Sequence, residues 1–275
     1  MQTLFDILNS GFVTSIIGAA LAAFAGAYGG QRIVERGKLR TDLLQEVRNT
    51  NAATMLGFTI FNAAISVKKQ HVRSLKEHFD RDRSDAIAFL ERVAQGRRRP
   101  GEIFQYQADL RILPKMDSPI EILVRQVYDK ISVTGRPLSV VSVLATTIAD
   151  LNECIDKRNQ WVASFRAASS SMSWEQACQR YFGFVEATGH LDQTYSDLIF
   201  AIATKTDDAI FFSKLLCSDL VAHAKETGAE FKKRFGKRHI VKISTPDFTT
   251  LVDQTLLPNE AEYADWSKAF VPAKS

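Results

Sequence analysis

The most prominent pattern in the chain is a long stretch without charged residues near its start. Residues 7–31 contain no Asp, Glu, Lys or Arg, and Asp6 and Arg32 bound the stretch. About 20 mostly apolar residues in a helix cross the roughly 30 Å hydrocarbon core of a bilayer. A helix in a globular domain would carry a polar face. The pattern therefore predicts a transmembrane helix. The alternatives are a buried soluble helix and a signal peptide, which would normally have a basic residue before the apolar run.

Small residues recur within this stretch at the spacing of one helix face. In lipid, close approach of backbones through small residues lets helices associate. The alternative explanation is that glycine and alanine are simply frequent in membrane helices. We predict that this ridge mediates self-association into a homo-oligomer. The ridge consists of Gly18, Ala22, Gly26 and Gly30.

The rest of the chain carries apolar residues mostly at helical spacing. Residues 49–67 are uncharged and could form a second membrane segment, but Asn49, Asn51 and Asn62 favour a buried soluble helix. Residues 104–112 instead alternate between apolar and polar, which predicts a strand that pairs with residues 239–243. The helices are predicted over residues 37 to about 70, 73–94, from 118 through Tyr128, from the break at 135–137 to about 166, and over 174–188 and 192–226.

Together these elements predict a mainly α protein. One N-terminal transmembrane helix is followed by a helical cytosolic domain with a small two-stranded β element. The predicted divisions are residues 1–31 for the transmembrane helix, 32–100 for membrane-proximal helices and 101–275 for a ligand-sensing domain. Cys154, Cys178 and Cys217 are too few and too widely spaced for a disulfide framework, and they suit a reducing compartment.

The charges flanking the apolar stretch predict its orientation. Arg32, Arg36, Lys38 and Arg40 follow it, whereas Asp6 precedes it. Positive flanks stay on the cytoplasmic side of a membrane. The pattern therefore predicts a single-pass protein whose bulk, after residue 31, is cytoplasmic.

The chain carries none of the common catalytic or nucleotide-binding motifs, including the phosphate-binding glycine loop, the nucleophile elbow and HExxH. Four residues, His71, His78, Asp80 and Asp82, could be drawn as a metal site, but their spacing suits a solvated helix face better. We therefore expect no enzyme activity, no cofactor and no metal site. An unrecognised enzyme remains an alternative, because catalytic groups can come from distant parts of a chain.

Two basic clusters are candidate sites for a polyanionic ligand. One is Arg97, Arg98 and Arg99, in a predicted loop. The other comprises Lys232, Lys233, Arg234, Phe235, Lys237 and Arg238, with Phe231 nearby. Clustered cations attract nucleic acid, and aromatic rings between them can stack on bases. The alternatives are contact with anionic headgroups of the inner leaflet and an ordinary solvated surface.

The segment from Arg48 to Val72, RNTNAATMLGFTIFNAAISVKKQHV, follows the glycine-rich span. In this segment and in its layout the chain resembles the membrane effector of the Hailong-type bacterial anti-phage defence system. The resemblance implies a homotetrameric ion channel in the bacterial inner membrane. It also implies that single-stranded DNA made by a partner nucleotidyltransferase holds the channel inactive. The resemblance assigns no site residue.

Two functions follow from these predictions. In the first, the protein is a homo-oligomeric membrane effector, an ion channel or membrane-disrupting protein, gated by a nucleic-acid or nucleotide ligand on its cytosolic domain. In the second, the apolar helix is only a tether for a scaffold that recruits other proteins.

Overall fold

A computed structural model describes residues 11–99, 101–185, 189–238, 240–250 and 252–268, with the side chains of residues 11–22, 24, 25 and 267 outside this description. The described chain is mainly helical, as predicted. A π-helical turn, Lys68–Val72, joins the first two helices, and two 3₁₀ turns, Gln254–Leu256 and Glu260–Tyr263, precede the last. The α-helices are α1 (Gly11–Val67), α2 (Arg73–Ala94), α3 (Ile120–Lys130), α4 (Arg136–Ser169), α5 (Trp174–Phe182), α6 (Thr194–Phe235) and α7 (Ala264–Lys268).

The chain divides into two compact units. Unit 1 comprises Met1–Arg48, whose described part begins at Gly11, together with Ala224–Lys242. Unit 2 comprises Asn49–His223 and Ile243–Ser275. Helices α1 and α6 each contribute residues to both units without a break. The predicted divisions at residues 31 and 100 stay predictions.

The core of unit 2 is built from the apolar stripes of its helices. Ile60 and Phe61 of α1, Leu144 of α4 and Ile210 of α6 are all fully buried. Helical periodicity brings such residues to one face, and burial of that face supplies most of a helix's stability in a protein. Residues 49–67, weighed as a second membrane segment, contribute Ile60 and Phe61 to this core.

Helices α1 and α6 approach closely in unit 2 because a glycine lies at their contact. A Cβ atom added to Gly57 would meet the Cys217 sulfur at 2.9 Å. The Cys217 thiol donates to the Thr54 carbonyl, 3.4 Å away. Nearby, Lys68 of the π-helical turn pairs with Asp207 of α6 at 2.5 Å. The sequence at this contact is therefore fitted to two closely packed backbones.

Several helix ends follow from local sequence. Ser173 caps α5 with a reciprocal bond pair to Gln176, and Gly183 ends the helix in the left-handed conformation. Helix α5 is therefore shorter than the predicted 174–188, and residues 186–188 lie outside the described residues. Helix α6 runs to Phe235, nine residues beyond the predicted end at residue 226.

The predicted two-stranded β element is wrong. No strand occurs among the described residues, where the single isolated bridge joins Val185 and Leu191. Residues 101–108 do alternate between exposed and half-buried, as an extended segment should. Residues 240–243 have no regular structure, and residue 239 lies outside the description.

Side chains of α4 take the place of a partner strand. The Asn159 amide accepts from the Leu113 N–H at 3.0 Å and donates to the Leu113 carbonyl at 2.8 Å. Asn152 makes the same pair with Met116, at 2.8 and 3.1 Å. Each asparagine imitates one step of a β ladder, so this end of the extended segment needs no second strand.

One helix among the described residues is long and apolar enough to cross a membrane, namely α4, with 34 residues. Its buried residues include Val140, Leu151 and Arg158, which lie within unit 2. Core helices of soluble proteins meet the same criterion of length and composition. For the predicted span, the backbone from Gly11 onward is helical. Residues 7–10 and most of the side chains before residue 26 lie outside the described residues.

Candidate functional site

The cluster Lys232–Arg238 lies at the C-terminal end of α6. The helix ends where Gly236 adopts a φ of +80°, and the Gly236 N–H donates to the Lys232 carbonyl at 3.0 Å. Basic side chains in a last turn interact favourably with the negative end of the helix dipole. The aromatic residues point inward instead: Phe231 is only 1% exposed, and its ring lies 5.3 Å from that of half-buried Phe235.

Arg36 of α1 joins this cluster. Its guanidinium donates to the Arg234 carbonyl at 3.4 Å and lies 5.7 Å from the centre of the Phe235 ring. The contact brings the positive flank of the apolar stretch next to the basic end of α6. Sequence reasoning treated these two groups separately, because nothing local in the sequence relates residue 36 to residue 235.

The combined surface in unit 1 is strongly positive. Arg234 forms an ion pair with Glu230 at 2.8 Å. Within the described chain, no acidic side chain lies within ion-pair distance of Lys232, Lys233 or the two residues after Gly236. All four cations are exposed; the two after Gly236 are Lys237 and Arg238. This surface can attract anionic groups.

The other predicted cluster, Arg97–Arg99, lies in unit 2 and forms a closed turn. Arg98 donates twice to the Glu102 carbonyl, at 3.2 and 2.9 Å. The Glu102 carboxylate accepts from the Arg99 N–H at 3.1 Å and from Arg92 at 2.9 Å. Those two bonds hold the pKa of Glu102 below its usual value. Arg98 is thus engaged within its own turn, whereas the Arg97 and Arg99 side chains are exposed.

The predicted oligomerisation ridge lies on α1. Gly18 and Ala22 are within the helix, but their side-chain surroundings lie outside the described residues. Gly26 and Gly30 are exposed, and a Cβ added to either would meet no atom within 4 Å. Ile33, directly beyond the ridge, is 75% exposed. Within the described residues, nothing packs against this uncharged face of α1 at Gly26 and Gly30.

The comparisons with known proteins do not identify the chain. It matches no known protein family, no curated protein and no solved structure.

Unit 2 contains a polar groove of about 710 Å³ that sequence reasoning did not predict. It lies between α2, which contributes His78, Arg81 and Asp82, and the extended residues 105–111. In volume it suits a small-molecule ligand. His78 and Asp82, considered above as metal ligands, both line this groove.

A buried arginine holds the wall of the groove in place. Arg158, fully buried on α4, donates to the carbonyls of Arg111 and Asp109, the latter at 2.8 Å. Tyr195 donates to the same Asp109 carbonyl at 2.9 Å. Burial acts to raise the pKa of the Asp109 carboxyl, but its hydrogen bonds with Arg111 outweigh this effect and lower the pKa. Because an arginine in a helix usually lies on the surface, no local pattern around Arg158 predicts this role.

The cysteines offer no reactive thiolate. Burial raises the pKa of Cys178 to about 11 and that of Cys217 to about 12. Desolvation likewise raises the pKa of Cys154. Nucleophilic cysteines instead have lowered pKa values. These side chains therefore act as small apolar groups at neutral pH.

Proposed function

We propose that this protein is a single-pass, homo-oligomeric effector of the bacterial inner membrane. It acts as an ion channel or membrane-disrupting protein that a nucleic-acid or nucleotide ligand gates from the cytoplasmic side. The resemblance described above adds a role in anti-phage defence, a tetrameric assembly and a nucleotidyltransferase partner that makes the ligand. The predicted polyanion contacts are the two basic clusters.

The continuity of α1 carries this proposal. The helix runs through 57 residues from Gly11 to Val67, so an uncharged stretch and a set of core residues belong to one helix. At 1.5 Å per residue its length is about 85 Å. A simple tether needs only a flexible connection, whereas an unbroken helix can transmit rotation or tilt. The unbroken helix therefore supports a function in which the apolar segment responds to changes in the cytosolic domain.

Gating in this proposal is a shift between two arrangements of the oligomer. The ligand must bind one arrangement more tightly than the other, since equal affinity changes no population. The uncharged face at Gly26 and Gly30 provides the contact between copies, and small residues allow the helices to repack. Binding to exposed cations predicts that ligand affinity falls steeply with salt.

A flexible insertion tests the role of the continuous helix. Four Gly and Ser residues are inserted after Lys38, and the full-length protein is reconstituted in vesicles loaded with K⁺. Leakage is compared with and without a single-stranded DNA oligonucleotide. We expect the wild-type protein to show leakage that depends on the oligonucleotide and the insertion to abolish that dependence.

The matched control places the same four residues after Ser170, in the exposed turn that follows α4. This insertion should leave the response intact. The channel proposal is contradicted if the wild-type protein incorporates stably but the vesicles leak neither with nor without the oligonucleotide.

The second candidate function is a membrane-tethered scaffold. It is favoured by an apolar cavity of about 330 Å³ in unit 2, lined by aromatic residues that include Phe89, Phe104 and Trp174. Trp174 is exposed, as is Leu90 beside it. Exposed aromatic residues around a cavity are typical of partner-binding surfaces.

Exchange of the apolar stretch distinguishes the two functions. Residues 7–30 are replaced with an unrelated membrane helix that has no small-residue ridge. A scaffold should keep its cellular activity, because only attachment matters. A channel should lose activity even though the protein still reaches the membrane.

A further inference from the structure

We propose that α6 has its own attachment to the membrane, through a basic surface that binds the headgroups of anionic phospholipids. This basic collar consists of exposed residues from two helices of unit 1. The inference rests on the proposed function, because it requires the apolar stretch to lie in a bilayer. It changes that function at one point: it assigns the cluster at the end of α6 to lipid and leaves Arg97–Arg99 as the contacts for the gating ligand. The collar residues are Arg32, Arg36, Lys232, Lys233, Lys237 and Arg238.

The position of Arg36 along α1 sets the depth of the collar relative to the lipid headgroups. Arg36 follows Gln31, the last residue of the uncharged stretch, by five residues, which corresponds to about 7–8 Å along a helix. The headgroup layer on each side of a bilayer is roughly 5–8 Å thick. When the uncharged stretch fills the hydrocarbon core, Arg36 therefore lies in or directly beside the headgroups.

Tyr28 and Arg32 indicate the same depth of α1 in the membrane. Tyr28 is 55% exposed, and the Arg32 guanidinium lies 4.9 Å from the centre of its ring. Aromatic rings with one polar end collect at the interface between hydrocarbon and water, and arginine side chains extend toward the headgroups. This pair therefore places the membrane surface just before Arg36.

The contact between Arg36 and α6 brings the rest of the collar to this level. Because Arg36 donates to the Arg234 carbonyl and lies against Phe235, the last turn of α6 is beside the part of α1 that enters the headgroups. Lys232 and Lys233 belong to that turn, and Gly236 ends it. The cations of α6 therefore lie where phosphate groups of lipids are concentrated.

The charge of the collar suits an anionic leaflet. Nearby acidic residues offset only part of this charge: Glu230 pairs with Arg234, and Glu35, which accepts a bond from Gln31 at 2.9 Å, keeps its single negative charge. Each Lys or Arg near an anionic membrane surface strengthens attachment by roughly fivefold. Several cations from two helices therefore produce a marked preference for anionic over zwitterionic lipid.

The aromatic residues of this cluster favour lipid over nucleic acid as its ligand. Binding of single-stranded nucleic acid uses exposed rings on which bases stack. Phe231 is almost fully buried, and Phe235 is half-buried beneath Arg36. The two rings expected to stack on bases therefore pack within the protein. The collar retains only the cations, which suit headgroup phosphates.

Lipid retention by the full-length protein tests the collar. The protein is incorporated into vesicles of equal parts phosphatidylglycerol and phosphatidylcholine, extracted in mild detergent and analysed by native mass spectrometry for bound lipid. The variant carries Lys232→Glu, Lys233→Glu, Lys237→Glu and Arg238→Glu. We expect wild-type protein to retain mainly phosphatidylglycerol and the variant to lose this preference by at least about tenfold.

Two further variants control the measurement. Reversal of Arg97, Arg98 and Arg99 to Glu changes a similar amount of charge in unit 2 and should leave the lipid preference unchanged. Lys237→Glu with Arg238→Glu alters only residues beyond the end of α6, so helix folding is unaffected, and it should reduce the preference by a smaller factor.

Binding of a fluorescent single-stranded DNA oligonucleotide is measured on the same proteins. An unchanged phosphatidylglycerol preference in the four-residue variant overturns the proposal. So does loss of oligonucleotide binding with lipid preference intact, which would assign the cluster to nucleic acid. Failure of the wild-type protein to incorporate into these mixed vesicles would instead overturn the proposed membrane function itself.

Discussion

Replacement of Gly57 by alanine tests the close approach of α1 and α6 in unit 2. A methyl group at this position would lie 2.9 Å from the buried Cys217 sulfur, well inside the contact distance of carbon and sulfur. Neither helix backbone can move away without disturbing the core residues on both sides. We therefore expect Gly57→Ala to destabilise the protein, although alanine is a better helix former than glycine.

The magnitude follows from two opposing effects. Insertion of an extra methyl group into a packed core costs about 1–3 kcal/mol. Exchange of glycine for alanine within a helix returns about 1 kcal/mol. The expected net loss of stability is about 1 kcal/mol, which lowers the midpoint of thermal unfolding by roughly 2–4 °C for a chain of this size.

A second substitution identifies the cause. Cys217→Ala removes the sulfur, so the double variant has room for the new methyl group. Its loss of stability should be smaller than the sum of the two single losses by about 1 kcal/mol. Thermal unfolding followed by circular dichroism in detergent measures the loss of stability in the two single variants and in the double variant.

A matched control lies in the same helix. Gly37 is exposed, and a Cβ there would meet no atom within 4 Å, so Gly37→Ala should be neutral or stabilising. The reasoning is refuted if Gly57→Ala stabilises the protein as Gly37→Ala does, or if the Gly57 and Cys217 substitutions are additive.

Three more outcomes are expected. Gly26→Leu should leave the unfolding temperature unchanged, because the site has open space, and should lower the oligomeric fraction in light scattering. Arg158→Met should cost about 2–3 kcal/mol in urea unfolding, because it removes the buried donor to the Asp109 and Arg111 carbonyls and only Asp109 keeps a second donor, Tyr195; Arg125→Met on the surface should stay within about 0.5 kcal/mol. Burial raises the pKa of Asp208 above its unfolded value, so its contribution to stability falls as pH rises through the raised pKa. Asp208→Asn should therefore raise the melting temperature at pH 7 and reduce its fall between acid and neutral pH, since the amide oxygen still accepts from Tyr263.

Helical periodicity was sufficient to predict most of the fold. The spacing of apolar residues and the stop at Gly96 gave α2, whose observed end is Ala94. The prediction for α6 ended too early, at residue 226. Ala224, Thr227 and Phe231 are all buried and continue the helical spacing past that residue, so the necessary signal was present.

The β element could not be predicted correctly from local alternation. Alternation identifies an extended segment, but a strand also needs a partner, and pairing is not a local property. Here Arg158 of α4 donates to the Asp109 and Arg111 carbonyls within the predicted strand, and Asn159 bonds the backbone of Leu113 directly after it. The same limit applies to Arg36 and Phe235, whose contact joins residues almost 200 positions apart in the chain.

Native mass spectrometry of the detergent-extracted full-length protein, with absorbance at 260 nm measured on the same sample, examines oligomerisation and ligand binding together. We expect a mass that is a multiple of the 30.7 kDa chain, with excess absorbance from bound nucleic acid or nucleotide. A monomer without that excess would contradict the oligomeric, ligand-gated effector.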